Sequence, residues 1–323
     1  MHVKIQAKHL SIFNSEAKMK KFLYRLLMIG MSFGVVLSII DYYYSEIVAE
    51  SNHHRSVEAW YDLMHGKIDA DIIVMGSSRA WVHINPLILD SILHLNTYNI
   101  GIDGSTINRQ IHKYNLFRKY NKKPKLIIQN IDTWSLGYGT GYEKEQFFPY
   151  FWNMDMRKEF FSSEPLSKRE KYIPMYRYRD IDIKRLFLKS PQTLTKGYKG
   201  IIREWNGEEY NNVKSLYFKN DDATVEMFDE YLAQTKAEGI KVVFVYTPQY
   251  IGATQKITNI DEMHNCYKKI ADKYNIPILD YSHMNICYDT AYFYNAMHLN
   301  KQGAEIFSDS LAHDINRLNL API

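Results

Sequence analysis

Ser78 and His298 are the side chains in this sequence best suited to nucleophilic chemistry. Ser78 follows Val74-Met75-Gly76-Ser77, an apolar run that ends at a glycine, and Arg79 comes next. A serine two positions past such a glycine sits where a strand turns into a helix. Helix N-terminal N–H groups at that point can stabilise an oxyanion. His298 lies in Tyr294-Asn295-Ala296-Met297-His298-Leu299-Asn300, ahead of Gly303-Ala304 and a helical pattern. An imidazole beside a serine hydroxyl takes its proton and makes it a nucleophile, which is the chemistry of acyl transfer. Each signal alone is weak. Gly-Ser turns after strands are common, and a lone loop histidine is ordinarily a surface residue.

Bringing the two together requires strands that all end on one side. Five short runs read as such strands: Ala70 to Met75, Tyr98 to Ile100, Lys125 to Ile131, Lys241 to Tyr246 and Ile276 to Asp280. Most are continuously apolar rather than alternating, as expected of buried parallel strands. Helical patterns separate them. Asn85-Pro86 opens one, Ser105 caps a second that carries Ile107, Ile111 and Tyr114, and Asp222 caps a third with Val225, Phe228 and Leu232. Asp261 to Tyr274 forms a fourth, and the last begins near Asn300 with Phe307, Leu311, Ile315 and Leu318 on one face. This alternation predicts an α/β fold, a three-layer, doubly wound parallel sheet of flavodoxin-like order 2-1-3-4-5. Ser78 and His298 then share its carboxyl rim. From Thr133 to about Asn220 the pattern fails, in a stretch rich in Tyr, Phe, Lys and Arg that includes Gly137, Gly139 and Gly141. An insertion there, after a strand's carboxyl end, is substrate-binding structure or a decorative subdomain.

The N-terminus carries an address. Leu26 to Ile40 contains no charge, and Phe22-Leu23-Tyr24 extends it past Arg25 to about the ~20 residues that cross a bilayer. Lys18, Lys20, Lys21 and Arg25 lie on one side; Asp41, Glu46 and Glu50 lie on the other. The positive-inside rule places residues 1–21 in the cytoplasm, a transmembrane anchor at 22–41 and the rest outside. No Ala-x-Ala pattern follows to mark signal cleavage, and Tyr42-Tyr43-Tyr44 fits an interfacial belt. Residues 42–68 read as a juxtamembrane helix or tether, and 69–320 as the globular domain.

A net charge of +4 on 323 residues is too small to point to nucleic acid. No GxGxxG, P-loop or CxxC motif is present, and no cofactor or metal is expected. His53-His54 lacks further ligands at metal spacing. Cys266 and Cys287 leave open a disulfide or two free thiols. The 26 tyrosines suit sugar-binding surfaces, although core packing is their ordinary use.

Gly76-Ser77-Ser78 resembles the Gly-Asp-Ser block of SGNH (GDSL-like) hydrolases, with Ser77 in place of the Asp. Asn99-Ile100-Gly101-Ile102-Asp103-Gly104 resembles their second block, and His298-Leu299-Asn300 with Gly303 resembles the terminal D-x-x-H block and its helix. The likeness spans roughly residues 70–132 and 222–318. It implies Ser78 as nucleophile, His298 as base and Asn295 where the family has Asp. The Ser78 and Gly104 amides would form the oxyanion hole. The third-block Asn has no clear match, and Asn130 or Asp132 are its candidates. Asp289 is a second possible partner for His298, and Arg79 reads as a surface ion pair. Among relatives the chain looks closest to anchored proteins of cell-envelope acyl transfer, such as the alginate acetylation proteins and the D-alanyl transfer protein DltD. The resemblance implies an exported esterase or O-acyltransferase acting on an acylated glycan. The alternative is an inactive scaffold or glycan-binding part of an envelope polysaccharide assembly.

Overall fold

The computed structural model of the chain describes residues 2–51, 59–138, 144–161, 166–180, 194–207 and 214–321. His53-His54, Gly139 and Gly141 lie outside them. Among the described residues, β1 (Ile72–Met75), β2 (Thr97–Asn99), β3 (Leu126–Asn130), β4 (Lys241–Tyr246) and β5 (Ile278–Asp280) form one sheet of order β2-β1-β3-β4-β5. All four pairings are parallel, so every strand delivers its carboxyl end to the same rim. The order is the one the strand-helix alternation predicts. Five helices precede β3: α1 (His2–Ser51), α2 (Trp60–Met64), α3 (Ser78–His83), α4 (Pro86–Leu93) and α5 (Ile107–Tyr120).

Strand pleating explains the three layers. Ile73 and Met75 of β1 enter one apolar cluster with Phe117, Phe228 and Phe244; Ile72 and Val74 enter another with Leu89, Phe307 and Leu311. Successive side chains point to opposite faces, so a strand covered on both faces must be apolar throughout. The first face is covered by α5 and by the helices Asp222–Ala237 and Ile260–Tyr274, and the second by α4 and Lys301–Arg317.

Two helix starts differ from expectation. Asp221 rather than Asp222 is the cap, because its carboxylate accepts from Thr224 N–H at 2.9 Å. Ser105 does not cap α5; its hydroxyl donates to Ile102 O at 3.0 Å, and Thr106 takes the cap position. Both cysteines are free.

The Glu16–Glu50 portion of α1 is long and apolar enough to cross a membrane. Most of its side chains from Phe22 to Ile40 are exposed, but Asp41 is fully buried. The Asp41 carboxylate takes an ion pair from Arg177, a hydrogen bond from Trp152 Nε1 at 3.2 Å and one from Met175 N–H at 3.0 Å. Ser45 Oγ lies 2.6 Å from Tyr178 Oη, and Val48 packs with Phe148 and Tyr178. The insertion therefore grips the C-terminal part of α1 through the 3-10 turns Lys144–Tyr150 and Tyr176–Tyr178.

Arg177→Met would leave the buried Asp41 carboxylate without its cation, a change worth about 3–5 kcal/mol. We expect loss of hydrogen-exchange protection across 144–150 and 176–178, partly restored when Asp41→Asn is added to the same chain.

Candidate active site

The turn after β1 is built around a glycine. Gly76 has φ +151°, and a Cβ there would lie 2.6 Å from Asn130 Cβ and 2.7 Å from Ala80 Cβ, so the strand end, the neighbouring strand and the next helix meet too closely for a side chain. Ser77 caps the short helix α3, its hydroxyl accepting from Arg79 N–H at 3.3 Å. Ser78 is then the first helical residue, at the sheet's carboxyl rim. The loop after β2 is laced to this turn, with Ile102 N–H donating to Gly76 O at 2.9 Å. Gly104 sits in that loop at φ +62° with open space where a side chain would point.

His298 arrives from the other end of the chain. A two-stranded antiparallel hairpin, Phe293–Asn295 with His298–Leu299, holds it at the same rim just ahead of the final helix. Gly303 permits this seating, because a Cβ would lie 2.4 Å from Tyr292 O. Ser78 Oγ is 2.7 Å from His298 Nε2, and His298 Nδ1 is 2.9 Å from Asn295 Oδ1. That same Oδ1 accepts from Met297 N–H at 2.9 Å, so the amide oxygen, not its nitrogen, faces the ring. The imidazole therefore carries its proton on Nδ1 and turns the Nε2 lone pair toward Ser78. Tyr294 stacks on the ring with centroids 5.3 Å apart.

Other expected participants go elsewhere. Asp289 accepts from Ala291 N–H at 2.9 Å and is spent on that local turn, not on His298. Asn130 is fully buried, and its amide is engaged by Asp132 and the neighbouring backbone. Arg79 is not a surface residue: it is 5% exposed and pairs with Asp132, which is fully buried. Ser77 donates to the other oxygen of Asp132, and Arg79 Nη1 donates to Gln249 Oε1 at 2.8 Å. His83 is a further buried neighbour, accepting from Leu299 N–H at 3.0 Å and so fixing the backbone next to His298. Neither His83 nor Gln249 carries a distinguishing sign in the sequence; only Asp132 stands out there, as a polar residue just past a strand end.

Part of His298 reaches solvent, but burial of the ring and then the Arg79 charge push its pKa down to about 3. His83 is lowered by burial first, with His298 and Arg79 adding to it. Both imidazoles are neutral at ordinary pH, and a neutral imidazole is the form that acts as base.

Beside the hairpin, a cleft of about 1050 Å³ opens between the returning end of the insertion and the final helix, lined by Arg203, Trp205, Asn206, Thr290, Asn300 and Lys301. Trp205 packs edge-on against Tyr250 at 5.2 Å, with its Nε1 buried and unpartnered.

No family model and no curated protein matches the chain. Solved structures similar to it include a family two carbohydrate esterase from Clostridium thermocellum in complex with cellohexaose, at 10% identity over 78% of this chain and 65% of that one, TM-score 0.41. An acetyl xylan esterase is similar at 12% identity over 76% and 99% of the two chains, TM-score 0.40. A GDSL-like lipase from Bacteroides thetaiotaomicron is similar at 13% identity over 76% and 88%, TM-score 0.36. Likeness this loose carries no assignment of the present site, which stands on its own geometry.

Both histidines titrate near 6.5 when unfolded and lower when folded, so from pH 6.5 downward the unfolded chain binds more protons and stability falls, by up to about 1.4 kcal/mol per pH unit for each. We expect the thermal midpoint to drop between pH 7 and pH 5, and the drop to shrink in His298→Gln.

Proposed function

We propose that the chain is a serine esterase or O-acyltransferase of the SGNH type, acting on acyl esters of an extracellular or cell-envelope glycan and held to the membrane by α1, with its N-terminus inside and its α/β domain outside. The observation that carries this reading is the 2.7 Å approach of Ser78 Oγ to a neutral imidazole whose other nitrogen is held by Asn295. In this mechanism Ser78 Oγ attacks the ester carbonyl as His298 Nε2 takes its proton. The Ser78 and Gly104 amides receive the oxyanion, and His298 returns the proton to the departing alkoxide. Water or a sugar hydroxyl then resolves the acyl-enzyme, with His298 again as base. The Trp205 cleft, aromatic and carrying both charge signs, suits a hydroxyl-rich chain next to the reacting carbonyl.

A second reading, an inactive glycan-binding scaffold in an envelope assembly, is favoured by one feature: Asn295 holds the imidazole without offsetting the charge it gains during attack.

Two measurements decide between them. Ser78→Ala should lower hydrolysis of an acetylated oligosaccharide or an aryl acetate by ~10³-fold or more, and a serine-reactive phosphonate should label Ser78 in the parent chain. Absence of both turnover and labelling supports the scaffold.

Asn295→Asp should raise kcat by about ten- to a hundredfold, short of the ~10⁴ known for this exchange in a serine protease, where part of the loss comes from a wrong tautomer. With His298 lowered to about 3, the acid limb of the parent's pH–rate profile should lie well below pH 6 and move upward in Asn295→Asp.

A further inference from the structure

We infer that the insertion forms a foot that rests on the headgroup layer of an anionic bilayer, at the point where α1 leaves it. The inference rests on reading α1 as a membrane anchor. Residues 22–40 span about 28 Å at 1.5 Å per residue, close to the ~30 Å hydrocarbon thickness, so Asp41 marks the outer boundary. The insertion touches α1 at that level. Trp152 Nε1 and Met175 N–H both donate to Asp41, and the Trp152 ring meets Tyr42 edge-on at 6.5 Å. Trp152 and Met175 therefore lie at the boundary, with Met154 two residues and Tyr172 three residues along the chain from them.

The surface presented there has interfacial chemistry. Trp152 is 40% exposed, Met154 72%, Tyr172 70% and Ile173 48%, and the exposed Tyr43 continues the belt on α1 itself. Trp and Tyr favour this layer because one end of the ring system is apolar and the other polar. The charges are sorted too. Arg157 and Lys171 line a groove with Met154, and Lys168 is exposed on the same short helix as Lys171. The acids of the same helices are paired: Asp155 with Lys119 and Tyr120, Glu159 with His112, and buried Glu170 with Ser167 N–H and Arg179. A surface whose carboxylates are held in pairs while Lys168 and Lys171 stay exposed fits anionic headgroups, at about 1 kcal/mol per cation near the surface. The buried Arg177–Asp41 pair fixes this foot to the helix, so the α/β domain does not swing freely on a tether.

The test uses the full chain in nanodiscs of phosphatidylcholine and phosphatidylglycerol, with lipids brominated near the headgroup end of the acyl chain as tryptophan quenchers. Trp60, Trp81 and Trp205 are buried and Trp134 is half-buried just past β3, so the contribution of Trp152 is isolated by comparison with Trp152→Phe. Bromolipid should quench the parent more than Trp152→Phe, and Tyr172→Trp in the Trp152→Phe background should restore the quenching. If chains that resist alkaline extraction show neither the Trp152-dependent quenching nor its restoration by Tyr172→Trp, the foot is overturned while the anchor reading stays intact. A chain released by alkaline extraction overturns both. Shielding of Trp152 from aqueous iodide without bromolipid quenching points to a protein partner and also overturns the foot.

Discussion

Arg79 lies at 5% exposure on the rim of the sheet, and a buried guanidinium is tolerated only with a counter-charge and hydrogen-bond partners. Asp132, just past β3, supplies the charge, and Gln249, just past β4, supplies an acceptor at 2.8 Å. Arg79 itself follows the turn after β1. One side chain thereby joins the carboxyl ends of three adjacent strands, directly beneath Ser78. Breaking either contact would strand a charge or a polar group in the interior, so the three strand ends are tied together at the rim. The same cation raises the cost of protonating His298, which keeps the imidazole neutral at rest.

This arrangement accounts for the departure at position 77. The SGNH block that this stretch resembles carries Asp there, whereas Ser77 here donates to Asp132, and both residues are fully buried. A carboxylate at 77 would face the Asp132 carboxylate across a hydrogen-bond distance, and two buried like charges so close cannot both ionise. Asp132 already provides the negative charge from the next strand. Ser77 keeps the two functions left to it, capping α3 and donating to that carboxylate. The change at 77 and the acid at 132 are one electrostatic solution, distributed over two strands.

The sheet was legible because buried parallel strands are short and continuously apolar, and helices between them leave a 3.6-residue stripe. Ile72 to Met75 and Phe307, Leu311 and Ile315 show those two signatures plainly. Ser78 was legible from the glycine at the end of β1, and His298 from its place just ahead of the last helix. Arg79 was misread, because a single Arg beside a Ser looks solvated until its partner is known, and Asp132 is more than fifty positions away. His83 gave no sign at all: its role is to accept a backbone N–H from a distant hairpin, which depends on packing and leaves no local pattern. The docking of the insertion on α1 was hidden for the same reason. Asp41 reads as an outward-facing flank charge, and only the fold supplies Arg177.

Asn295 separates two things that a carboxylate at this position does together. It orients the imidazole, and it leaves the charge the imidazole acquires without an offset. An amide can fail at the first task by turning its nitrogen to the ring, which forces the proton onto the wrong atom. Here the Met297 N–H, 2.9 Å from Oδ1, prevents that rotation, since a turned amide would set donor against donor. Orientation is therefore preserved by the hairpin's own backbone, and only the electrostatic part is missing. That missing part is the stabilisation a carboxylate would give an imidazolium. The geometry at Ser78 is thus one whose alignment is intact, rather than one that has drifted apart.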